Sequence, residues 1–119
     1  MSERDGTVVR LDPPADVGAR YADASGDHNP IHVDATAARA VGLPGPILHG
    51  MWTLAQAANA VTADPFALEA IAVEFRGIGL PGEPVEVTVH REEAGRSATF
   101  AAAQGPRELL RNGRAALRP

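Results

Sequence analysis

The chain has 119 residues, enough for one domain spanning 1–119, and no apolar run in it approaches the roughly 20 residues of a membrane helix, so a soluble protein with no membrane partner is expected. Net charge is -4 and the 11 basic residues, all arginine, are spread along the chain; this argues against a nucleic-acid partner and excludes Schiff-base lysines and lysine-dependent phosphate loops. With no cysteine, disulfides, thiolate nucleophiles and zinc–thiolate sites are excluded as well.

The amino terminus, MSERDGTVVR, has acids and a glycine where a secretory signal needs a basic start and an apolar stretch, which predicts a cytoplasmic location. Residues 7–11, TVVRL, form a candidate strand ended by Pro13-Pro14, and a short helix is expected from Asp16 to Asp23. The stretch 24–33, ASGDHNPIHV, is rich in turn formers, and Pro30 pushes Asn29 away from helical geometry, so it reads as an ordered loop. Asp34 is placed to cap a helix running to about Val41, before glycines and prolines at 42–46 force another loop.

From Met51 to Thr62, MWTLAQAANAVT, nearly every position is apolar or small, and a helix apolar on most sides belongs inside something. Beyond residue 68 the period switches to two. Ile71, Val73 and Phe75 alternate with Ala72, Glu74 and Arg76; Val85, Val87 and Val89 and then Ala98, Phe100 and Ala102 follow the same rule. Pro81-Gly82 and Glu93-Ala94-Gly95 mark turns between these strands. The last hairpin is placed at 104–106, because a turn at Asn112-Gly113 leaves too little chain for a returning strand; Gly113 is read as a bulge. The expected fold class is α+β: an antiparallel sheet wrapped around the central helix, extended by the first strand. Open edges in so small a sheet favour pairing with a second copy.

Asp27 and His32 lie five residues apart across the Asn29-Pro30 turn, a spacing that can aim both side chains into one small space. A carboxylate beside an imidazole, whose ordinary pKa is about 6.5, is a plausible water-activating pair, although Asp and Asn are also common turn and capping residues. His28 reads as a solvated or loop-packing group and His90 as a surface residue on a strand. The string His49-Gly50-Met51 precedes the apolar helix. Gly50 leaves the free amides of a helix start open to an oxyanion such as a thioester enolate, and His49 is equally consistent with a buried hydrogen-bonding residue.

Tyr21, ASGDHNPIHVD at 24–34 and GLPGPILHGM at 42–51 together resemble the hydratase signature of the MaoC-like family of (R)-specific enoyl-CoA hydratases and dehydratases. The resemblance is strong from about 21 to 62 and is carried only by the strand pattern afterwards. It implies a hotdog fold, with the antiparallel sheet around a long central helix. It also implies syn addition of water to a trans-2-enoyl thioester to give the (R)-3-hydroxyacyl thioester, or the reverse dehydration. The family's catalytic residues fall on Asp27 and His32 and its oxyanion glycine on Gly50, with Asn29 and His49 as supporting residues. No metal and no cofactor is implied, CoA or acyl carrier protein entering as part of the substrate. The expected partners are that small-molecule thioester and a second copy in a homodimer, with a heterodimer or higher oligomer as alternatives. A hotdog thioesterase and a non-catalytic acyl-binding subunit of a heteromeric hydratase are the competing readings. Trp52 and the alanines at 57, 58 and 60 are expected to shape the pocket.

Overall fold

The computed structural model describes residues 5–92 and 95–118, so Glu93 and Ala94 of the expected turn lie outside the described residues. Five strands and three helices follow one another as β1 (Asp5–Leu11), α1 (Val17–Ser25), α2 (Ala35–Ala40), α3 (Gly50–Val61), β2 (Leu68–Phe75), β3 (Val85–Arg91), β4 (Ser97–Gln104) and β5 (Arg107–Leu117). Short 3-10 turns at Pro30–His32 and Pro65–Ala67 sit between them. The strands form one antiparallel sheet in the order β1-β3-β4-β5-β2, with the first strand extending the sheet beside β3 as expected.

The alternating pattern becomes a core. Val85, Val87 and Val89 on β3, and Ala98, Phe100 and Ala102 on β4, face inward and are buried together with Leu110 and Ala115 of β5. Against this face pack Ala57 and Val61 of α3 and Val17 of α1. Burying each valine or leucine side chain contributes roughly 1.5 to 3 kcal/mol, so the central strands and one stripe of α3 supply most of the apolar stabilisation. The far end of α3 is tied to the sheet by Arg91, whose Nη2 donates to the carbonyls of Ala60 and Val61, both at 2.9 Å.

Two expectations need correction. Helix α3 is not enclosed on most sides: Thr53, Ala57 and Val61 are buried, but Met51, Ala55 and Asn59 are exposed, because the sheet of a single chain covers only one side of the helix. Phe75 does not join Ile71 and Val73 on the half-buried face. A register shift between Ala72 and Glu74 interrupts the pairing of β2 with β5, and Phe75 is 52% exposed. Gly113 is a bulge residue against β2, where it and Asn112 together lie opposite Val73, while against β4 it pairs with Phe100 and the extra residue falls at Arg111 and Asn112, opposite Ala101. Asn112 adopts φ 54°, and Gly113 is small because the Phe100 ring lies directly against it. The final hairpin does turn between Gln104 and Arg107.

Candidate active site

The loop from Gly26 to Val33 is built by its own short-range polar contacts. Helix α1 ends in Gly26, whose φ of 80° is a left-handed cap that glycine adopts without a Cβ penalty. The amide of Asp27 donates to Ser25 Oγ at 3.1 Å, that of Asn29 to Asp27 Oδ1 at 3.2 Å, and that of Ile31 to Asn29 Oδ1 at 3.2 Å. Asn29 thereby caps the 3-10 turn that carries His32, and Asp27 has one carboxylate oxygen engaged locally and the other, Oδ2, free. The loop is held close to α1 because Gly18 has no side chain. A Cβ there would lie 2.1 Å from the carbonyl oxygen of His32.

His32 is anchored from the other side. Its Nδ1 lies 2.8 Å from the carbonyl oxygen of Ile47, which can only accept, so Nδ1 carries a proton and Nε2 is turned outward. That Nε2 is 4.0 Å from Asp27 Oδ2. The gap is too long for a direct hydrogen bond and allows one water to be held between the two groups. The His32 side chain is 10% exposed and that of Asp27 53%, so the imidazole is set in the protein while the carboxylate faces solvent.

His49 is buried beneath this pair. Its ring stacks on His32 with centroids 3.7 Å apart and planes at 20°, and the ring of Tyr21 packs on it at 4.7 Å. Its Nε2 donates to the main-chain oxygen of Asp27 at 3.0 Å. As the residue before α3, His49 makes no side-chain cap, and the leading amides of the helix, beginning with Gly50, have no acceptor within it. A cavity of about 240 Å³ brings His32 and Gly50 together with Leu48, Thr53, Phe75, Ile78 and Leu110. Asp27 is not part of its lining; it approaches only through His32.

His28 is exposed and outside this group, and Trp52 lies in a separate cleft with Arg20 and Tyr21. His90 is on the opposite face of the sheet, half-buried against Gly6. Reading the sequence missed Phe75 and the Gly77–Gly79 segment as part of the site. Gly77 and Gly79 could have signalled it: a Cβ on Gly77 would lie 2.4 Å from the carbonyl oxygen of Glu108 and one on Gly79 2.7 Å from Leu48, so only a chain without side chains there can lie so close to β5 and the Leu48 loop. Asp27, His32 and His49 offer ligand atoms within 4.8 Å of one another, the spacing of a metal site. The near-parallel imidazoles direct their lone pairs side by side rather than to one point, and one nitrogen of each ring faces a backbone carbonyl. The group is therefore better suited to hold water and substrate than to enclose a cation.

The model of the MaoC like domain family matches residues 4–105. Among known proteins, the chain is 40% identical over 68 residues to the peroxisomal hydratase-dehydrogenase-epimerase of Saccharomyces cerevisiae, covering 57% of this chain and 8% of that protein. It is 36% identical over 72 residues to the enoyl-CoA hydratase ChsH3 of Mycobacterium tuberculosis, covering 56% of this chain and 25% of that protein. The chain thus spans a quarter or less of the length of these two relatives. Its backbone superimposes on the (R)-hydratase of A. caviae with a TM-score of 0.78 at 22% identity, covering 99% of this chain and 96% of that one, so the two share the hotdog fold.

Proposed function

The chain belongs to the MaoC-like domain family, and from that membership we propose that it acts as one hydratase domain, adding water across the double bond of a trans-2-enoyl thioester to form the (R)-3-hydroxyacyl thioester, or catalysing the reverse dehydration. The observation that carries this reading is the facing of His32 Nε2 and Asp27 Oδ2 across 4.0 Å, beside a cavity that also holds the first residue of α3.

A water between the two groups would be polarised by both. As its oxygen bonds to the β-carbon, one of them takes its proton. The π electrons move through the α-carbon to the thioester oxygen, where the Gly50 N–H and the positive end of α3 stabilise the enolate. The enolate then collapses as the α-carbon takes that proton back from the group that removed it, on the same side, so that one water is added in all. Both groups would face the substrate from one side, which favours syn addition; the (R) outcome is the one implied by the family. The names of the relatives, a hydratase-dehydrogenase-epimerase and an enoyl-CoA hydratase, support the reaction class. CoA or a carrier protein would enter as part of the substrate, and the exposed stripe of α3 supports assembly of two copies.

Purified protein incubated with trans-2-enoyl-CoA thioesters of several chain lengths should show loss of the enoyl absorbance and accumulate the (R)-alcohol. Asp27→Asn and His32→Gln should each lower kcat by about 10²- to 10⁴-fold. Both variants turning over near the wild-type rate while folded would refute the site, and release of free CoA in place of hydration would point to a thioesterase.

A further inference from the structure

His49 is 3% exposed, and it joins three parts of the site from beneath. Its backbone leads into α3, so it is covalently joined to the Gly50 amide. Its ring lies flat against that of His32, 3.7 Å away, and its Nε2 hydrogen-bonds the main-chain oxygen of Asp27 at 3.0 Å. A buried histidine serving only as filling has no reason to engage both the imidazole and the carboxylate-bearing residue at once. We infer that His49 is a positioning residue: it ties Asp27, His32 and the Gly50 amide into one rigid unit, an assignment that rests on the hydratase reading above.

The two contacts divide the work. The stack backs the His32 ring, whose direction the Ile47 carbonyl already fixes through Nδ1. The hydrogen bond fixes the main chain of Asp27 and so limits how far its free oxygen can drift from His32. Because a carbonyl oxygen accepts and does not donate, the two stacked rings must hold opposite tautomers. His32 is protonated at Nδ1, facing Ile47, and His49 at Nε2, facing Asp27. A flip of His49 to the other tautomer would place two acceptors against each other and loosen the loop.

The tether and the stack are separable by substitution. His49→Phe keeps a flat ring on His32 and removes the donor, whereas His49→Gln keeps an N–H that can reach the Asp27 carbonyl and removes the ring. If the tether governs the geometry, His49→Phe loses about 100-fold in kcat, the scale of a misplacement near 1 Å, with KM little changed, and His49→Gln recovers most of that loss. Equal loss in both variants, or a wild-type kcat in His49→Phe, overturns the assignment. Long-range ¹H–¹⁵N correlation spectra of the unaltered protein give a readout that needs neither turnover nor a folded variant. They should find His49 protonated at Nε2 and His32 at Nδ1, and the reverse tautomer on His49 overturns the tether. Should the wild-type protein hydrate no enoyl thioester, the hydratase reading fails, while the tautomers still decide whether His49 is tethered to Asp27.

Discussion

At the scale of single residues, the site depends on what is missing as much as on what is present. Gly50 is pressed by the Phe75 ring: a Cβ on it would lie 3.1 and 3.2 Å from two ring carbons. The ring is half-exposed and free to move, so Gly50→Ala should fold normally. It should also push Phe75 within the cavity that His32 shares, lowering kcat/KM by about tenfold. Replacing Phe75 by leucine in the same chain should restore most of that loss, and a double-mutant cycle measures the coupling; strictly additive effects would mean that the ring is not the cause. Asn29 acts at the same scale. It does not line the cavity: its amide oxygen accepts the Ile31 N–H that starts the 3-10 turn, and its main-chain oxygen accepts the His32 N–H at 3.1 Å.

At the scale of elements, capping and burial separate into small and large effects. Asp34 receives the amides of Thr36 at 2.8 Å and Ala37 at 3.3 Å, and Asp34→Ala should cost about 1 kcal/mol in denaturant unfolding, with kcat of the folded protein unchanged. Val87 is fully buried at the middle of β3 and is not part of the cavity lining. Val87→Ala should therefore cost about 2 kcal/mol, from lost methyl burial plus the void left behind, again without a change in kcat. If Asp34→Ala proved the more destabilising of the two, the core would not be where the valines of β3 place it. Helix α3 differs from both cases, because Met51 and Ala55 on its outer side are left exposed by its own chain.

At the scale of the whole molecule, that exposed stripe and the sheet edges favour a second copy. Among the described residues no strand pairs with the outer edges of β1 and β2, and Phe66 and Phe75, near the two ends of β2, are 83% and 52% exposed. Free edges bordered by exposed aromatic rings are stabilised by pairing. Light scattering should give twice the 12.4 kDa chain mass, and Met51→Glu, on the exposed stripe of α3, should shift the mass toward that of one chain. A monomer at high micromolar concentration would rule this assembly out. No described helix is long and apolar enough to cross a membrane.

What the amino-acid sequence determined by itself is what depends on neighbours a few residues away. The period of two in β3 and β4, the Asp34 cap, the loop around Asn29-Pro30 and the small residues of α3 all follow from local chemistry, and they were legible along with the short spacing of Asp27 and His32. Tertiary structure decided what depends on distant segments meeting. It brought the Ile47 carbonyl to His32, 15 residues away, and the Asp27 carbonyl to His49, 22 residues away. It set Phe75 over Gly50, spread the bulge over Arg111, Asn112 and Gly113, and left one side of α3 bare. Each of these depends on segments far apart in the chain packing together, loop against loop at His32 and His49 and strand against strand around Asn112, which no local pattern of side chains encodes.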